Sequence, residues 1–188
     1  MAALPGETSL VSLDSYYREL SHLSLEERAR VNFDHPDSLD WPLFLDHLDR
    51  ISRGESIPEP VYRFDLHNRA PEVTVVRAAD WVLVEGILVL HRADVRRRLG
   101  LRVYVETPDE LCLRRRVERD TVERGRTSES VHWQYAQTVR PMAAEYVWPA
   151  RQHADVVVSG QEPFDASVAR VCRALGLSER ARSAGQAG

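Results

Sequence analysis

The apolar residues fall into two kinds of pattern. Short continuous blocks at residues 9–13 (Ser-Leu-Val-Ser-Leu), 81–90 (Trp-Val-Leu-Val-Glu-Gly-Ile-Leu-Val-Leu), 101–105 and 155–158 predict strands. The block 81–90 is the clearest, because a continuous apolar run suits a parallel strand buried on both faces. Elsewhere the spacing is helical. Ser24, with Glu27 three residues on, forms a capping box for a helix over 24–31. Ser38 is placed to cap a second helix reaching about Arg53, with Leu39, Leu43, Leu45 and Leu48 near helical spacing and Gly54 as its stop. Further helices are predicted over 92–99, from Pro108 through Arg124 to a break at Gly125, from a Thr127 cap towards Trp148, and over 163–176. Ile57–Phe64 is extended but carries Pro58 and Pro60, which suits an edge strand or a loop, with Glu72–Val76 as a strand of a small hairpin. Strands alternating with helices predict an α/β protein with a mostly parallel sheet.

Composition narrows the picture. A length of 188 residues suits one core, expected over residues 1–178, with a frayed tail at 179–188. The apolar fraction is 43% and the charged fraction 29%, as in ordinary globular chains. A net charge of −4 argues against electrostatic binding of nucleic acid by the chain as a whole. No apolar run is long enough to cross a membrane, and Met1–Glu7 has no signal-peptide pattern. Cys112 and Cys172 stand far apart without metal-ligand spacing, which suits a reducing, cytoplasmic setting. All 25 basic residues are arginine, so chemistry that requires a lysine is closed to these residues.

Several polar positions carry possible chemistry. Asp14 follows directly on the strand at 9–13, and ligands of open α/β sheets gather at the carboxyl ends of strands. A carboxylate there can take a proton from a hydroxyl or help hold magnesium; taken alone, a turn aspartate is the commoner reading. Glu85 interrupts the run 81–90, either as a functional carboxylate or as a strand end reaching solvent. In Asn32-Phe-Asp-His-Pro-Asp37, Asp34 can bond sugar hydroxyls and Phe33 can stack on a base, or the stretch simply ends a helix. Tyr62, Phe64 and His67 can line a base pocket, or sit on the surface of a hairpin. Arg116 and Arg119, one turn apart in the arginine-rich stretch 114–126, can clamp a transferring phosphoryl group. The other reading of that stretch is a solvated face balanced by Asp109, Glu110, Glu118, Asp120 and Glu123, and those interleaved acids weaken an RNA-binding reading.

Taken in order, Asp14-Ser-Tyr-Tyr-Arg18, Asn32-Phe-Asp-His-Pro36, Pro60-Val-Tyr62, His67-Asn-Arg69, Glu85-Gly-Ile-Leu88, Arg115-Arg-Val-Glu-Arg-Asp120, Glu123-Arg-Gly-Arg126, Gln134-Tyr135, Val139-Arg-Pro141 and Ala154-Asp-Val156 resemble the uridine kinase (uridine/cytidine kinase) family of P-loop nucleoside kinases. The resemblance spans roughly residues 8–175. It implies a P-loop kinase-like parallel sheet flanked by helices, a small β-hairpin for the nucleoside, and a helical lid at about 114–132. It implies ATP- and Mg-dependent phosphorylation of uridine or cytidine to the 5′-monophosphate, in pyrimidine salvage. By resemblance, Asp14 is the catalytic base, Asp34 holds the ribose with Phe33 beside it, and Tyr62, Phe64 and His67 form the pyrimidine pocket. Arg126 and Gln134 bind nucleoside, Arg116 and Arg119 serve catalysis and the ATP phosphates, and Glu85 and Asp14 lie near magnesium. The implied partner is a small nucleoside, with no nucleic acid or membrane, in a homo-oligomer that the family suggests is a tetramer.

Two stretches depart from the pattern. The family's first strand and its Gly-rich loop ending in Gly-Lys-Ser/Thr have no counterpart in these residues, and Val158-Ser-Gly-Gln-Glu-Pro163 replaces a Pro-Arg-Gly type of loop. The first departure predicts two neighbouring strands without a partner between them. Met1–Gly6 resembles the end of the helix that follows such a loop, so a longer native protein is expected, with the chain as given inactive or impaired. The alternative is a nucleoside-binding or regulatory relative without kinase activity. A related kinase such as phosphoribulokinase or pantothenate kinase is a further reading, against which the Tyr62, Phe64 and His67 pocket argues.

Overall fold

The computed structural model describes residues 4–177. Its elements run β1 (Thr8–Ser12), α1 (Leu25–Ala29), α2 (Trp41–Ser52), β2 (Ile57–Arg63), β3 (Asn68–Val76), β4 (Trp81–Glu85), α3 (Ala93–Arg96), β5 (Val103–Glu106), α4 (Asp109–Glu123), α5 (Ser128–Gln134), α6 (Arg140–Met142), β6 (Val156–Ser159) and α7 (Phe164–Ala174). The expected tail at 179–188 lies outside the described residues, and Leu4–Gly6 form a bend where a helix end was expected.

β1 and β4 pair in parallel, from Thr8 opposite Trp81 to Ser12 opposite Glu85. β5 and β6 form a second parallel pair. β2 and β3 make an antiparallel hairpin whose register shifts between Pro60 and Tyr62, where proline cannot donate to the ladder. Among the described residues β4 and β5 share no ladder, so the parallel strands stand as two pairs. The expectation of a ten-residue strand buried on both faces is corrected here. Gly86, at φ +144°, turns the chain after Glu85, and Leu88, Val89 and Leu90 reach the core from the following turn. Leu83 is 48% exposed and its register partner Leu10 is 54% exposed, so one face of the pair is open.

The core lies on the other face. α2 presents Trp41, Phe44, Leu48 and Ile51 to the core with Val11, Leu13, Tyr16 and Ile57; of the expected leucines, Leu48 lies in this face, Leu39 is buried just before the helix, and Leu43 and Leu45 are partly buried against it. Asp40, not Ser38, caps α2, accepting from the Leu43 amide at 3.2 Å. Pro42 suits the first helical turn, which moves the start downstream. Ser38 instead sits in a 3-10 turn, donating to the His35 and Phe33 carbonyls.

Other boundaries follow the sequence. Ser24 and Glu27 form the capping box of α1, and Thr127 caps α5 by accepting from the Ser130 amide at 3.2 Å. Beyond α5 the helix widens into π turns at Tyr135–Val139 and Ala143–Val147, flanking α6 with its Pro141. Proline has no N–H for the i→i−4 ladder, so the ladder changes step around it. No helix among the described residues is long and apolar enough to cross a membrane.

Candidate active site

The site is built around the turn that follows β1. Residues Leu13–Tyr16 form a 3-10 turn with Leu13 and Tyr16 buried, which holds Asp14 between two anchored side chains. Tyr16 packs edge-on against Phe44 at 4.9 Å, and its hydroxyl lies 2.8 Å from His47 Nδ1. Arg69 fastens the same turn, donating to the Tyr16 carbonyl at 3.0 Å and pairing with Asp40 at 3.2 Å. Gly86 closes the other side. A Cβ at that position would meet Leu13 Cβ at 2.6 Å, and its positive φ favours glycine independently.

Ser12 joins three elements at this point. Its amide donates to Glu59 of β2 at 2.8 Å, and its hydroxyl donates to Glu85 of β4. Glu85 is exposed at the strand end, so it does not interrupt a buried strand. Burial raises the Asp14 pKa above the ordinary carboxylate value, and Glu85 adds to this while Arg124 and Arg119 oppose it. Burial also raises Glu59, opposed by the Ser12 amide. Among the described residues no three His, Cys, Asp or Glu side chains converge as a ready metal cage.

Four sequence-selected side chains meet in one aromatic cluster. Phe33 stacks on His67 at 5.6 Å with ring planes 14° apart, and Tyr62 lies 6.3 Å from Phe33 and 5.1 Å from Phe64. Tyr17, which sequence reasoning did not select, joins them at 5.3 Å from Phe33 and 5.0 Å from Tyr62. Its signal was its place in the Asp14–Arg18 block. The Tyr62 hydroxyl is buried and has no hydrogen-bond partner among the described residues. A buried hydroxyl costs free energy unless paired, so it is a group available to a ligand. Burial, then Arg124 and Arg126, lower the His67 pKa, which favours the neutral ring.

Asp34 sits beside this cluster, its amide bonded to Asn32 Oδ1 at 3.1 Å. Burial raises its pKa, with Arg116 opposing. The loop carrying it is pinned to the helical region after α6 by a 3.0 Å hydrogen bond between His35 Nε2 and the Tyr146 hydroxyl.

The arginines of α4 and its end converge on the same region. Arg116 and Arg126 both donate to Gln134 Oε1, and Arg124 lies over the Phe64 ring at 5.2 Å. Arg116, Arg119, Arg124 and Arg126 also surround Asp120, which sequence reasoning counted only as a balancing surface acid. Its i,i+4 spacing from Arg116 was the available signal. Asp14, Asp34, the aromatic cluster, the arginines and Gln134 thus form one neighbourhood, with Glu85 at its edge through Ser12.

Comparison with known proteins fits this geometry. The model of the phosphoribulokinase / uridine kinase family matches residues 2–165. Uridine kinase of Aliivibrio fischeri (strain MJ11) is 43% identical over 152 residues, covering 81% of this chain and 71% of that protein. Uridine kinase of Escherichia coli (strain K12) is 44% identical over 145 residues, covering 77% and 68% respectively. In fold, the chain is similar to phosphoribulokinase from Rhodobacter spheroides, with a TM-score of 0.59 at 14% identity over 82% of this chain and 60% of that one. The chain belongs to the phosphoribulokinase / uridine kinase family, a family of kinases.

Proposed function

We propose that the site binds a pyrimidine nucleoside for phosphorylation of its 5′-hydroxyl, with uridine or cytidine as substrate. The observation that carries this reading is the Phe33, Tyr62 and His67 cluster beside Asp34, with the unpartnered Tyr62 hydroxyl inside it. Flat rings suit a base, a carboxylate suits ribose hydroxyls, and buried polar groups give selectivity. Asp34 holds the ribose, neutral His67 reads the base edge, and Gln134 with Arg126 closes over the nucleoside. Asp14 receives the 5′-hydroxyl proton, and its raised pKa makes it a better base than an ordinary carboxylate. Arg116 and Arg119 offset charge on the transferring phosphoryl group.

ATP supplies that phosphoryl group, and magnesium its counter-charge. Magnesium is commonly held by one or two carboxylates together with substrate phosphates, and Asp14 and Glu85, which meet at the end of β1 through Ser12, would supply such carboxylates. The reading includes one domain over 1–178 with its lid at about 114–132, a cytoplasmic location and a homotetramer.

A second reading is nucleoside binding without turnover. In its favour, none of the 188 residues is a lysine, and no Gly-x-x-x-x-Gly-Lys-Ser/Thr sequence occurs among them. Calorimetric titration of uridine into the chain, followed by addition of ATP and magnesium, separates the readings. Both readings expect uridine binding; UMP formed even slowly supports the first, and none formed supports the second. Turnover at an ordinary kinase rate would remove the second reading, and absence of uridine binding would overturn both.

A further inference from the structure

Asp120 is 0% exposed, yet it lies on a helix whose neighbouring positions are largely exposed. Its carboxylate faces four guanidinium groups: Arg119 at 2.9 Å, Arg116 at 3.6 Å, Arg126 at 3.6 Å and Arg124 at 3.7 Å. Three of these belong to α4 or its cap and one lies beyond Gly125, so the carboxylate ties together both sides of the turn that ends the helix. The Asp120 carbonyl also accepts from the Arg126 amide at 3.1 Å.

A structural staple needs one partner, not four. One carboxylate does not neutralise four guanidinium groups, and three of the same arginines also face Asp14 or Asp34 across the site. Asp120 Oδ2 and Arg116 Nε pair at 3.6 Å but, among the described residues, neither buried atom has a hydrogen-bond partner, so charge and not hydrogen bonding holds this contact. The same arginines reach the rest of the site. Arg116 and Arg126 donate to Gln134, Arg124 covers Phe64, and Arg119 and Arg124 act on Asp14.

We propose that Asp120 is a positioning residue that holds Arg116, Arg119, Arg124 and Arg126 as one convergent anion-binding set over the nucleoside site. It makes no contact with the reacting atoms. Its carboxylate offsets the mutual repulsion of the guanidinium groups and fixes their direction, leaving the surplus charge for a phosphoryl group. This rests on the nucleoside-site reading for the identity of the ligand, but not for the arrangement of the arginines.

The test compares the full chain with D120N, which keeps shape and removes charge. Uridine probes the nucleoside pocket, and uridine 5′-monophosphate probes pocket plus arginines. Because Arg126 also serves the nucleoside, D120N is expected to lower uridine affinity a few fold and monophosphate affinity about tenfold more than that. A parallel loss of both affinities would mark Asp120 as merely structural and overturn the proposal, as would no loss of either. Nitrogen-resolved NMR of the unmodified chain gives a second reading that needs no variant or ligand. The Arg119 Nε–H, which donates to Asp120 at 2.9 Å, is expected to exchange at least about tenfold more slowly than that of exposed Arg114 on the same helix. Equal exchange overturns the proposal even where D120N does not fold. Failure of the unmodified chain to bind uridine would instead sink the nucleoside reading, and monophosphate affinity together with the exchange measurement would still test the hold of Asp120 on the arginines.

Discussion

The half of the molecule around Asp14 and the strand half are assembled differently. Around Asp14 the chain is fixed by side chains reaching across long sequence distances: Arg69 to Asp40 and Tyr16, Ser12 to Glu59 and Glu85, Asn68 to the Leu20 amide. The parallel pairs are held by backbone ladders, and their apolar side chains Leu10, Leu83 and Val105 stay open to solvent. A parallel sheet normally has both faces covered. The difference teaches that the pocket's geometry rests on the α2 core and its ties, with the strands serving as a rail that delivers Asp14 and Glu85 to one end.

The strongest way to break this comparison is to cut the core beneath the pocket and a strand side chain in parallel. Phe44→Ala, at a fully buried position under Tyr16, is expected to cost about 3–5 kcal/mol in urea unfolding. Leu83→Ala on the open face is expected to cost less than about 1 kcal/mol, and a cost equal to that of Phe44→Ala would show that face to be covered.

Next in size is Asp34→Asn, which removes a charged acceptor beside the aromatic cluster. A loss of about tenfold or more in uridine affinity by calorimetry is expected, with the unfolding midpoint little changed. An unaltered affinity would move the ribose contact elsewhere.

His67 sharpens the comparison through pH. Its folded-state pKa is lowered below 6.5 by burial, then by Arg124 and Arg126, so the neutral ring prevails at pH 7. The unfolded chain therefore binds the proton more readily than the folded one. Stability from this group is full above pH 6.5 and is lost as pH falls towards the lowered value. Uridine affinity is expected to be flat from pH 7 to 8 and to decline below 6.5. His67→Gln should flatten that decline; a decline of undiminished size in the variant would assign it to another group.

The smallest effect is expected at α1, outside both halves. Ser24→Ala removes the capping box and should cost about 1 kcal/mol, read as a shifted urea midpoint.

Much of this was legible from local pattern. The capping box at Ser24 and Glu27, the Thr127 cap, the proline-limited hairpin and the break at Gly125 are signals carried by a few adjacent residues. The aromatic set of Phe33, Tyr62, Phe64 and His67 was found as separate blocks, and folding brings it together. What pattern missed was tertiary. Whether 81–90 is one strand depends on Gly86 approaching Leu13, and no periodicity carries that contact. The start of α2 depended on a choice between two good caps, and Pro42 favoured Asp40. Asp120 resembled its acidic neighbours because burial of one side chain on a charged helix is set by which residues fold over it. Tyr17 sat next to Asp14 in plain view, but its role comes from the rings that surround it.

The double grip on Ser12 has a mechanical meaning. One atom group of this residue is held by the hairpin through Glu59 and another by the neighbouring strand through Glu85, at the position directly before the turn that carries Asp14. The hairpin also carries Tyr62, so in the proposed reading the element lining the base pocket is tied to the segment that carries the proton acceptor Asp14. On that reading, choice of substrate and aim of the proton acceptor are geared together, and remodelling the hairpin for another nucleobase would also retune the step that follows binding.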